Sequence, residues 1–209
     1  MIRSLEEMTD ASVVATDGQM GKVCNFLFDD QSWMIRYVVV DVRSWLMRHD
    51  VVISINAIEQ PDWDQKTFHV RLTREEVRNS PDVDSKKPVS RQQEVAMREY
   101  YGWPAYWNDQ SEFPAPPLAA GREYPVRTGE DPHLRSVEEV TGYEVWATDG
   151  SLGKLENFIV DDASWHIGYL DVKMGDWLHG RSMLVPTRSV ELVSWAKHRI
   201  NLQQSTAGR

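Results

Sequence analysis

Residues 35–42 are rich in β-branched and aromatic side chains, a composition that favours a strand. A related stretch, residues 167–174, lies 132 positions further on. Between the two, Val38/Leu170, Val40/Val172 and Val42/Met174 stay apolar, whereas Arg36/Gly168, Val39/Asp171 and Asp41/Lys173 do not. Period-two alternation therefore turns Val38, Val40 and Val42 inward and Val39 and Asp41 outward. Shorter strands are predicted over residues 12–15, 22–28, 51–55 and 68–72. In the second copy they fall over 183–186 and, with a weaker pattern, 198–202. Within 22–28 the alternation is broken, because Phe26/Phe158 shares parity with Cys24/Glu156; a bulge is expected there. Gly18, after Thr16 and Asp17, marks a tight turn.

The repeat extends far beyond one strand. At the same offset, Arg3-Ser4 matches Arg135-Ser136, Asp17-Gly18 matches Asp149-Gly150, and Gly21-Lys22 matches Gly153-Lys154. Asn25-Phe26 matches Asn157-Phe158, Asp29-Asp30 matches Asp161-Asp162, and Ser32-Trp33 matches Ser164-Trp165. Trp45-Leu46 matches Trp177-Leu178, and Trp63 matches Trp195. A period this long means two small domains of one fold, not a solenoid of single supersecondary units. Each copy is near the size at which one core barely suffices, so the copies are expected to pack on each other or to dimerise. The division is residues 1–83, a linker 84–132, a second domain 133–203, and a polar tail 204–209 expected to be disordered.

The linker has its own character. Ser90 opens a predicted helix running to about Tyr101, and Gly102, Trp103 and Pro104 end it. Six prolines fall between Pro104 and Pro132, which makes a semi-rigid connector. Tyr100, Tyr101, Trp103, Tyr106 and Trp107 are too many aromatics for a solvated tether; they are expected to dock on a domain face or to meet a partner. Thr73 and Glu76 form a second capping box, opening a short helix that closes the first domain before Pro81. No equivalent helix is predicted in the second copy, which leaves its domain to be completed by the linker or another chain.

These residues resemble the PRC-barrel family. That family is named for the cytoplasmic part of the photosynthetic reaction centre H subunit and includes the C-terminal domain of a ribosome maturation factor. The resemblance is carried by Asp17-Gly18, Gly21-Lys22-Val23, Asp29, residues 37–41 and residues 73–81. The second copy supplies Asp149-Gly150, Gly153-Lys154-Leu155, Asp161, residues 169–172 and Pro186. It implies an all-β chain of two small PRC-type β-barrels in tandem, with short helices in the linker and closing the first barrel. It also implies a role in assembly and protein contact. Copy one departs by placing Ser54 where copy two has Pro186, and likeness of fold does not fix function.

Composition narrows the chemistry. The net charge is -9 and the pI near 5.1, which disfavours direct nucleic-acid binding, since that relies on clustered Lys and Arg. The single cysteine, Cys24, excludes an intramolecular disulfide and a thiolate zinc site. No apolar run approaches the roughly 20 residues of a membrane span. A cytoplasmic location is expected, with peripheral membrane contact still open. Asp17-Gly18 and Gly21-Lys22 lack the spacing of a phosphate loop and precede a strand; a turn explains them.

Asp29-Asp30 and Asp161-Asp162 are the candidate hard-cation ligands, although Asp at a strand end is favoured for capping turns. No histidine aligns with another across the repeat, and no acid, base and nucleophile set recurs. No cofactor and no enzymatic activity are expected. Trp45, Leu46, Trp177 and Leu178 follow a strand in a polar stretch, unlike a core; with Trp103 and Trp107 they are the candidate contact residues. The expected function is a non-enzymatic adaptor that binds protein partners or itself, as a homodimer or by pairing of its own barrels. The alternatives are a small-ligand or metal-ion sensor and a ribosome-associated factor acting through protein contacts.

Overall fold

Local chemistry forms the elements largely where the pattern places them. The computed structural model describes residues 1–44, 47–59, 61–81, 89, 91–103, 134–175 and 181–203. In the first copy β1 (Ile2–Ser4) leads into the single-turn α1 (Leu5–Met8), then β2 (Ser12–Ala15) and β3 (Gly18–Asp29). β4 (Met34–Ser44), β5 (Met47–Ser54), β6 (Thr67–His69) and α2 (Arg74–Arg78) complete it, and α3 (Arg91–Tyr101) follows. The second copy repeats the order: β7 (Leu134–Ser136), α4 (Val137–Val140), β8 (Glu144–Ala147), β9 (Gly150–Asp161) and β10 (His166–Met174). It ends in β11 (Arg181–Pro186), β12 (Val190–Ser194) and β13 (Arg199–Leu202).

The predicted signals have visible causes. Thr73 accepts from the Glu76 amide while the Glu76 carboxylate accepts from the Thr73 amide at 2.7 Å, so the capping box starts α2. α3 stops at Gly102, whose φ of +68° suits a residue without Cβ. The expected cap Ser90 lies outside the described residues, as do most of the linker and the tail 204–209. The irregular alternation in β3 is a bulge: the β3–β4 register shifts between Val23 and Asn25, and the β9–β10 register shifts at the equivalent place.

The described strands form one mostly antiparallel sheet of thirteen strands rather than two separate sheets. Its hydrogen-bonded path runs β12-β13-β8-β9-β10-β4-β3-β2-β6 and does not close on itself. In each copy the last strand returns to pair in parallel beside the second, β6 on β2 and β13 on β8. Two features join the copies. β10 meets β4 where His166 faces Met34, and these are equivalent positions of the repeat. Each copy's first strand also crosses to the other copy. Ser4 of β1 pairs with Ile159 of β9, and Ser136 of β7 pairs with Leu27 of β3. Both registers are related by the same offset, so the copies are arranged about a local two-fold axis.

One hydrophobic core runs through both copies, from Val13, Phe26, Val38 and Ile53 to Val145, Phe158, Leu170 and Val185. At the junction the Phe28 ring lies 5.4 Å from Phe158, and Phe68 meets Trp165 edge-on at 6.0 Å. Such aromatic pairs add about 0.5–1.5 kcal/mol beyond the area they bury.

One expectation about sidedness is corrected. Val39 stands on the outward face of β4, as alternation requires, yet it is fully buried. A second cluster of Leu27, Tyr37, Val39, Val52 and Leu134 is covered there by Val89 and by Met97 of α3. Alternation assigns a residue to a face; it does not say whether another element covers that face.

Candidate functional site

Several residues that recur between the copies converge on the junction. Arg3 and Ser4 ride on β1 onto the second copy, and Arg135 and Ser136 ride on β7 onto the first. Arg3 Nε donates to Asp162 Oδ2 at 2.9 Å, and Arg135 Nε donates to Asp30 Oδ2 at 2.6 Å. Asn157 Nδ2 donates to Ser4 Oγ, and Asn25 Nδ2 to Ser136 Oγ, both at 2.7 Å. Asn25 Oδ1 also accepts the amides of Phe26 and Glu138, so its amide group ties three segments in a buried position. Asp30 and Asp162, candidate cation ligands on sequence grounds, are therefore held by arginines across the junction.

Their neighbours hold turns. Asp29 Oδ1 accepts the amides of Gln31 and Ser32 at 3.0 and 2.8 Å, and Asp161 Oδ2 accepts from the Ser164 hydroxyl. Burial pushes the Asp162 carboxyl up, but the Met1 ammonium and Arg3 outweigh it and hold the carboxyl below the ordinary carboxylate range. Among the described residues, no group of three or more His, Cys, Asp or Glu side chains is placed to hold a metal ion. Burial also lowers the pKa of His166, on the axis, against the opposing pull of Asp161.

Trp33 and Trp165 close the same turns with φ of +59° and +58°, a left-handed conformation that is an outlier for so bulky a residue. The geometry has a use. Trp33 O accepts the Ile167 amide at 2.8 Å, and Trp165 O accepts the Ile35 amide at 2.9 Å, each across the axis. Both rings are buried. Of the candidate contact residues, Trp45, Leu46, Trp177, Leu178 and Trp107 lie outside the described residues. Trp103 packs with its centroid 4.1 Å from Tyr101, stacked, and 6.4 Å from Tyr37. It belongs to the cover of the first copy.

That cover breaks the two-fold symmetry. On the first copy, Leu134, Tyr37 and Val52 are 1%, 4% and 2% exposed beneath Val89 and α3. The equivalent residues of the second copy, Ile2, Tyr169 and Leu184, are 67%, 40% and 55% exposed. These belong to one face, since Tyr169 pairs with Ile159, Ile159 with Ser4, and Leu184 with Asp171. Each aliphatic side chain left half in water there forgoes roughly half of the about 1.5–3 kcal/mol that full burial contributes. Cys24, on the covered face, is pushed up to about 12 by burial and by Asp50, Asp41 and Glu138, so its thiol is protonated and unreactive at neutral pH.

The sequence reading did not single out Arg3, Arg135, Ser4, Ser136, Asn25 or Asn157. Their signal is present: each is identical across the repeat, and Ser4 and Ser136 each precede a Glu three positions on, a helix-start pattern in which Ser136 accepts the Glu139 amide at α4. The open face of the second copy was missed as well. Its signal is the exchange of Val39 for Asp171 at equivalent positions. Among the described residues, no helix is long and apolar enough to cross a membrane. No protein-family model matches the chain, and no curated protein matches it.

Proposed function

We propose that the chain is a non-enzymatic adaptor: two PRC-type barrel modules fused about a local two-fold axis, one outer face closed by the chain itself and the other offered to a protein partner. The observation that carries this reading is the unequal covering of equivalent faces, with Val52 buried and Leu184 half in water. Apolar side chains gathered on one exposed face of a folded domain mark an interaction site. The recurring polar residues support the same reading, because they serve to hold the modules together: Arg3 with Asp162, Arg135 with Asp30, Asn25 with Ser136. A cation sensor built on the paired Asp residues would first have to break those arginine contacts. The cytoplasmic setting expected from composition suits such a role.

The test is affinity capture from the native lysate with the intact chain and with Leu184→Glu. Proteins retained by the intact chain and lost with the variant support the adaptor reading. Recovery of the same set with both chains, or of none, overturns it.

A further inference from the structure

The partner's chemistry can be read from the middle of the open face. Asp171 occupies the position of Val39, opposite Leu184 on β11 and Asn157 on β9, with Tyr169 two positions along its own strand. Its Oδ1 is buried and, among the described residues, has no hydrogen-bond partner. Lys173, two positions along the same face, already donates to Glu156 Oε1 at 3.0 Å. A carboxylate oxygen screened from water and left without a partner calls for a donor, and a cationic one makes the strongest hydrogen bond.

The equivalent face shows what kind of element fits. There the cover is one amphipathic helix, α3, which sets Met97 in the cluster that contains Val39. The open face presents the equivalent positions Ile2, Tyr169 and Leu184 to solvent, and a helix resting its apolar side on them would repeat the covering seen on the first copy. A second copy's α3 is already seated on its own first copy, with Met97 1% and Glu94 2% exposed, and is not free to cover this face.

We infer that the open face of the second copy binds an amphipathic helix of a partner protein that places a Lys or Arg among its aliphatic contacts, paired with Asp171. This rests on the adaptor reading and specifies its partner.

The test uses the intact chain and synthetic peptides of residues 88–103, one unaltered and one carrying Glu94→Gln and Met97→Arg, followed by titration calorimetry. The substituted peptide is expected to bind about tenfold more tightly than the unaltered one, the gain expected of one charge-assisted hydrogen bond. Asp171→Asn in the chain should remove that gain, and Leu184→Glu should abolish binding. Leu184 is exposed and Asp171→Asn keeps the shape of the side chain, and circular dichroism checks that the variants fold. Equal binding of the two peptides, no binding of either, or indifference to Asp171→Asn overturns the inference. So does a concentration-dependent dimer that Leu184→Glu dissolves, which would assign the face to a second copy. Should lysate capture succeed while the peptides fail, the adaptor reading stands and only the partner's chemistry is wrong.

Discussion

Gly21 and Gly153 lie where the two long strands of each copy, β3 and β4 or β9 and β10, approach closely. A Cβ on Gly21 would sit 2.2 Å from the Asp41 carbonyl oxygen, and one on Gly153 would sit 2.0 Å from that of Lys173. Neither neighbour is the flexible end of a side chain; both are backbone in a hydrogen-bonded sheet. Gly153 also has φ of +149°, which side chains rarely adopt. So the Gly-Lys pair that looks like a fragment of a phosphate loop is set by strand contact. Gly21→Ala and Gly153→Ala should each destabilise by about 3 kcal/mol, the upper range for forcing an extra methyl into packed structure. Gly168→Ala, where a Cβ meets nothing within 4 Å, should change stability by no more than about 0.5 kcal/mol. Urea denaturation of the three variants measures this, and equal effects at Gly21 and Gly168 would reject the explanation.

Among the elements, the crossed strands β1 and β7 bind one copy to the other. Both deliver an arginine to a carboxylate, but in unequal surroundings. The Arg135 and Asp30 side chains are 5% and 9% exposed, while Arg3 is 22% exposed against 6% for Asp162. Removing one partner of a buried pair strands the other charge and costs about 3–5 kcal/mol, whereas a more exposed pair costs less. Arg135→Met should therefore lower stability more than Arg3→Met, and combining Arg135→Met with Asp30→Leu should recover part of the loss. Thermal melts of the single and double variants check this; equal losses for the two arginines would refute it. These crossings also mark how far the sequence could be read. The repeat, the long strands, the α2 capping box and the bulge in β3 are written in neighbouring residues, so they are legible. The pairing of β1 with β9 depends on register between distant segments, which no local pattern carries. The burial of Val39 was illegible for a related reason: α3 covers the face, and nothing within β4 announces it. For the candidate site, identity across the copies singled out Asp30 and Asp162 as candidate cation ligands. Their role stayed hidden because the arginines that explain them arrive from the other copy.

At the scale of the whole molecule, the two copies share too much to be independent domains. The sheet passes between them at Met34 and His166, each lends the other a strand, and the Phe28, Phe158, Phe68 and Trp165 rings meet in a common interior. Interfaces between independent domains are more polar and admit relative motion. Here a rigid junction would present the closed and open faces in a fixed geometry, which an adaptor needs if it holds a partner in one orientation. A shared core makes a sharp claim about unfolding. Phe158 belongs to the second copy and is fully buried. Phe158→Ala should cost about 3–5 kcal/mol. If the copies unfold as one unit, that loss must appear in both. Native-state hydrogen exchange reads this directly, because the slowest amides report the global opening. The protected amides of β3 and β9 should lose protection by the same free energy in the variant. Protection retained in β3 while β9 loses it would mean that the first copy stands alone and that the junction is only a docking of two separable parts.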